Sequence, residues 1–425
     1  MDPSPIPDAH QSMVEHDCFL VGAFTLPGER GSGTPAAIVV LHDSPINLLD
    51  DVNTTSYTPK GYQDCAELLV AAERGEKWMS SISKEFNQPV TAFVWPIIIA
   101  ISRRGSNASS ISEDELNRSF HEERRNHPEP QQEMHYAIRL FTGSGVEIFM
   151  CSHAILAAAS VLLHRNKLTR YIEERRTVCF HFMDEVTIES PLNISSHRLP
   201  SQTLQVFGTI HPSGIRIEMN CPWRTVDPLP LGLEDEGAVV SIFWSSFIWD
   251  DHAADELALT SPMDYVRFVG LTSDGEDLFV ELTAEGLDMV GDKDFSCIAL
   301  RQRWSGCSRG VIICCEVPAV IGKVVDSELE SNPVYNKSNN NDVSENFAID
   351  FCSRYFRFDG YNDEQGSHCA LGPYFGARRG KRRLLGLQNS ERGGLVECSL
   401  MEDVQRVYII GSTVTTLTGK SQMNT

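Results

Sequence analysis

Cys151-Ser152-His153-Ala154-Ile155-Leu156-Ala157 returns in altered form as Gly366-Ser367-His368-Cys369-Ala370-Leu371-Gly372. Both stretches read Ser-His-x-x-Leu among small residues. Each follows an acidic residue, Glu147 in the first and Asp363-Glu364 in the second. A Ser-His pair followed by small and apolar residues predicts a helix start. Two such starts, about half the chain apart, predict a two-lobed protein with one site between the lobes. Proton transfer uses that arrangement, with one acid or base supplied from each side.

The flanking segments read as strands. Phe19 to Phe24 and Ala36 to Leu41 are β-rich runs joined by a Gly/Ser/Pro turn at 27–35. Ala66 to Phe86 carries apolar residues at helical spacing, and Thr91 to Ile101 reads as a strand. Tyr136 to Phe141 and Glu147 to Met150 lead into the Ala-rich helix Ser152 to His164. Residues 204–420 follow the same order of strands, central helix and strands around the second Ser-His element. The expectation is an α+β protein of two similar lobes, 18–197 and 204–420, after a flexible N-terminus at 1–17. The polar stretches at about 104–133 and 327–346 read as insertions, and Ser196 to Thr203, with Pro200, as the crossover.

The length of 425 residues suits two domains. A formal charge of -22 repels phosphate backbones and argues against nucleic-acid binding. The short run Trp95 to Ile101 is cut by Arg103-Arg104, so no membrane span is expected. Met1 to Asp17 has acids and prolines but no apolar core of a signal peptide. Twelve cysteines without C-x-x-C pairs predict reduced thiols in a cytoplasmic protein, with neither a disulfide framework nor a zinc site. No phosphate-binding Gly-rich loop stands between a strand and a helix, which argues against a nucleotide cofactor.

A helix start offers free N–H groups and the positive end of the helix dipole. The N–H groups at Ser152, Gly366 and Ser367 are therefore candidates to hold a carboxylate or an enolate oxygen. The same field favours a thiolate, which makes Cys151 and His153 the acid/base candidates of the first lobe. Asp363 or Glu364 is the partner from the second lobe, and Glu147 is a further candidate substrate contact. Each residue also has an ordinary structural role: a cysteine as a small buried hydrophobe, a histidine as a hydrogen bonder, a serine as a cap.

At the level of phrases the chain resembles the PhzF-like, phenazine-biosynthesis isomerase family, which has the diaminopimelate epimerase fold. The phrases are Ala23-Phe24 with Gly33 to Val39, Asn87 to Val94, Ile138 to Thr142 with Glu147 and Cys151 to Ala154, Ser308 to Ile312, Ser353 to Phe356, Gly366 to Tyr374, and Gln388 to Gly394. The resemblance spans roughly 18–420. It implies two β-barrel-like lobes, each around a central helix, and proton movement without cofactor or metal in a small, often carboxylate-bearing metabolite. It also implies a homodimer and a place in specialised metabolism. Cys151 matches the first-lobe thiol of the racemase relatives, His153 the family histidine, and Asp363 the second-lobe base.

The chain departs from that pattern where chemistry is concerned. Val90 stands where the family's Asn-x-Ser-Glu-Thr phrase has its glutamate, and a valine carries no proton. Ser152 replaces a glycine, and Gly33-Thr34-Pro35 replaces Gly-Asn-Pro. The second-lobe motif is contracted to Asn362 through His368, which leaves Asp363 and Glu364 both open as the base. Hydroxyanthranilate isomerisation by the family's usual route is not expected. The readings left are a different proton transfer or a binding protein that kept the cleft.

Overall fold

A computed structural model describes residues 13–27, 29, 31–41, 75–96, 133–165, 175–190, 193–211, 214–229, 236–249, 261–290, 293–317, 348–358 and 364–424. The polar segments 104–132 and 327–346 and the side chain of Glu364 lie outside the described residues, as does Asp363.

The strands form one continuous ribbon that repeats a single plan twice. In the first half Met13–Ala23 pairs antiparallel with Thr34–Val40, which pairs parallel with Val90–Pro96. Glu133–Thr142 joins antiparallel and is followed in parallel by Arg175–Ser190, then by Asn193–His211 and Gly214–Pro222. In the second half Val266–Thr272 pairs antiparallel with Asp277–Leu282, which pairs parallel with Gly310–Glu316. Phe351–Arg357 joins antiparallel and is followed in parallel by Arg383–Gln388, then by Gly394–Met401 and Arg406–Gly411. Parallel neighbours need a crossover, and helices supply it at equivalent places in both halves. The second crossover of each half is the helix carrying its Ser-His element, Ser152–Arg165 or His368–Arg379.

The halves are joined edge to edge. Arg406–Gly411 pairs with Gly214–Pro222, while the next strand, Thr413–Asn424, returns to pair with Met13–Ala23. Among the described residues no ladder joins the outermost strands, Thr413–Asn424 and Val226–Pro228, so the ribbon is open. The α+β class and the internal repeat agree with the sequence, but closed barrels are not seen.

The alternation of strand residues sorts the layers. Val90, Ala92 and Val94 face a core that contains the helix Ser152–Arg165, whereas Phe93 and Trp95 face an outer layer with the helix over 75–86. Residues 152–163 of the first central helix are all buried. Such a helix is apolar all round because it is surrounded, not because it lies on a surface. Its small residues allow close contact with strands; a Cβ at Gly208 would fall 2.2 Å from Cδ1 of Leu163. The second central helix contributes Cys369, Ala370, Leu371 and Phe375 to that same core.

Two expected boundaries move. Ser196–Thr203 is no crossover: it lies inside Asn193–His211, which pairs along its length with Arg175–Ser190. Pro200 is accommodated there because the register shifts by one residue beside it, and a shifted register is where a strand tolerates proline. By topology the halves change between Pro222 and Val226. The first strand begins at Met13, inside the segment expected to be flexible.

Candidate active site

Cys151 caps the first central helix. Its carbonyl accepts the first helical hydrogen bond, from Ile155 N–H at 3.0 Å. Its sulfur accepts the Ala154 N–H at 3.5 Å, the bond that an N-cap side chain ordinarily makes. The sulfur also lies 3.2 Å from Nδ1 of His153. Both side chains are fully buried. The thiol therefore sits between a helix-start N–H and an imidazole nitrogen. Ser152 is buried beside them.

The second element meets the first. A 3-10 turn, Glu364–Ser367, runs directly into the helix His368–Arg379, and the first central helix packs against this turn. Ser367 has helical backbone angles and makes no side-chain capping bond. In a 3-10 turn each N–H closes onto the carbonyl three residues earlier. The free donors of this element therefore lie toward Glu364, further back than the Ser-His phrase alone implies. Gly366 is half-buried, and Ser367 and His368 are buried.

Glu147 is not brought to Cys151. It pairs across strands with Phe141 on the outer face. Arg139 holds both its carboxylate oxygens at 2.7 Å, from Nε and a terminal nitrogen. This is a forked ion pair on the outer face of the sheet. Val90 is fully buried in the apolar core around the first central helix.

Two other quoted phrases meet in space, although more than 350 residues separate them. Arg392 Nε donates to the carbonyl of Gly33 at 2.9 Å, and Gly33 N–H donates to the carbonyl of Gly393 at 3.1 Å. Gly33 has φ +75°, and a Cβ there would lie 2.4 Å from the Ala23 carbonyl oxygen. The Gly-x-Pro and Arg-Gly-Gly phrases thus form one junction between the halves.

A buried charge network, which the sequence does not reveal, braces the second half. Asp277 accepts hydrogen bonds from Arg224, Arg309 and the hydroxyl of Tyr355. Burial alone would raise its carboxyl, but the two guanidinium groups outweigh that and hold it below its ordinary value. Only the three-dimensional pairing identifies these partners, which together with Asp277 come from four separate segments.

Neither a protein-family model nor a curated protein matches the sequence. Solved structures do. The chain is similar to a phenazine biosynthesis protein of the PhzF family from Enterococcus faecalis, with 20% identity and a TM-score of 0.54, over 96% of this chain and 100% of that one. It is also similar to a putative phenazine biosynthesis PhzC/PhzF protein from Clostridium difficile, with 20% identity and a TM-score of 0.50, over 95% and 98% of the two chains. The chain therefore has the PhzF-like, diaminopimelate-epimerase-like fold along nearly its whole length.

Proposed function

We propose that the protein is a PhzF-like isomerase or epimerase that moves a proton within a small, carboxylate-bearing metabolite without a cofactor. The observation that carries this reading is the buried Cys151–His153 pair at the start of a helix that packs, along some part of its length, against the Glu364–Ser367 turn of the other half. A mere scaffold needs neither a thiol–imidazole pair at the inner end of its central helix nor a matching element opposite. Cys151 and His153 act as the first-half acid and base. Asp363, with Glu364 beside it, is the second-half base. N–H groups at Ser152 and at the start of the Glu364–Ser367 turn hold the carboxylate or the enolate oxygen. The reaction differs from hydroxyanthranilate isomerisation, because Val90 offers no proton. A cytoplasmic homodimer serving specialised metabolism completes the reading.

A second reading has one specific observation behind it. Val90 is packed into the core where the family has its glutamate, which suits a small-molecule-binding protein that has lost the chemistry. A third reading, a thiol-dependent hydrolase or transferase, would need Cys151 to be alkylated rapidly near neutral pH. Incubation of the purified chain in D₂O with small-molecule extract of its source, followed by mass spectrometry, separates the first two. A metabolite that gains deuterium only with protein present supports the isomerase. Metabolites that are retained by the protein but gain no deuterium support the binding protein.

A further inference from the structure

On the outer face of the first half, four potential ligand side chains come together on neighbouring strands. Glu133 and His135 are two apart on Glu133–Thr142 and so point to the same face. Cys179 and His181 are two apart on Arg175–Ser190. The strands are parallel, with His135 directly opposite Cys179. Val178 and Phe180 turn inward to the core, which leaves Cys179 and His181 on the outer side.

We propose that Glu133, His135 and Cys179 bind a divalent ion of the zinc class, with His181 positioning His135. One carboxylate oxygen, one imidazole nitrogen and the sulfur already lie within 4.8 Å of one another. Zinc bonds of about 2.0–2.3 Å in a tetrahedron put ligand atoms roughly 3.3–3.6 Å apart. The remaining gap closes by rotation of Glu133, which is exposed, and of the half-buried His135, while Cys179 is buried as the floor of the site. A thiolate, an imidazole and a carboxylate form a borderline-soft set, which suits zinc and not magnesium or calcium.

The histidine orientation fits the proposal. Nε2 of His135 faces Glu133 at 3.6 Å, and its Nδ1 lies 3.0 Å from Nε2 of His181. Nδ1 of His181 in turn lies 3.1 Å from Oγ1 of Thr203 on the next strand. A ligating imidazole commonly gives its other N–H to a second polar group, and His181 is placed to take it. Binding displaces the Cys179 thiol proton to water and forms the metal–sulfur bond. Three protein ligands leave a fourth position for water. The cluster lies on the opposite side of the sheet from the Cys151–His153 pair, so its occupancy is tested independently of activity.

The test uses the full chain, stripped with a chelator and dialysed against zinc or cobalt(II). The expected results are one zinc per chain by elemental analysis and a thiolate-to-cobalt charge-transfer band. Cys179→Ser should remove the band. His135→Ala should weaken binding by at least roughly tenfold, and His181→Phe by about 10–100-fold with the band retained. If Cys179→Ser does not fold, the wild-type band and the half-buried His135→Ala decide. Substoichiometric zinc, a cobalt spectrum without the band, or unchanged affinity in His135→Ala would overturn the proposal and leave a hydrogen-bonded cluster only.

Discussion

The sulfur of Cys151 lies 3.2 Å from Nδ1 of His153, and neither side chain is exposed. The pair is thus closed to bulk reagents. Alkylation at neutral pH should label the half-buried Cys297 before Cys151. Labelling of Cys151 should follow the opening or unfolding of the chain. Site-resolved mass spectrometry against denaturant concentration checks this, and rapid native labelling of Cys151 would revive the thiol-hydrolase reading.

Gly33 predicts a local stability effect. Its positive φ and the 2.4 Å approach of a built Cβ to the Ala23 carbonyl leave no space for a side chain. Gly33→Ala should cost roughly 1–3 kcal/mol by chemical denaturation. Arg392→Ala, which removes the bond to the Gly33 carbonyl, should cost about 0.5–1.5 kcal/mol. Because the two residues share one junction, their effects should not add.

Asp277 predicts how stability responds to acid. Its carboxyl is held below its ordinary value of 3.8 despite the opposing effect of burial. A depressed folded-state value means that the stabilisation is fully present above the unfolded value and is lost as pH falls through the folded one. Stability should therefore decline on the acid side of 3.8. Asp277→Asn should flatten that limb. It should also cost about 3–5 kcal/mol at neutral pH, because two guanidinium groups lose a buried partner. Denaturation curves over a pH series on both proteins measure the two effects.

Glu397 is the equivalent test at the seam between the halves. It is buried between Arg216 and Arg383, which overcome the effect of burial and hold its carboxyl down. Arg216 lies on Gly214–Pro222 of the first half, and Glu397 on Gly394–Met401 of the second. Arg216→Ala should lower the denaturation midpoint by removing one of the two cations that neutralise this carboxylate. A midpoint unchanged from wild type would show that the seam does not depend on the pair.

The repeat was legible because it is written in local residues. The Ser-His phrases, small helix residues and β-rich runs mark the same supersecondary unit twice. The fate of the strands was less so. Pro200 reads as a break, yet the strand passes it with a shift of register. Edge pairing between Gly214–Pro222 and Arg406–Gly411 depends on contacts far apart in sequence. At the site, Cys151 and His153 come together because they flank one helix start, although a spacing of two residues gave no reason to expect a Cys-His pair. Glu147 stands close in sequence yet is captured by Arg139, because its strand register turns it outward. The cluster of Glu133, His135 and Cys179 had no sequence signal of its own, since its ligands meet only through a parallel pairing.

The central claim is that one acid or base from each half serves one substrate. The most direct measurement is deuterium incorporation into the responsive metabolite by wild type, His153→Ala and Asp363→Asn, each confirmed as folded. Loss of one acid or base should slow incorporation by about 10²–10⁴-fold in each variant. Incorporation at the wild-type rate in either variant would contradict the account.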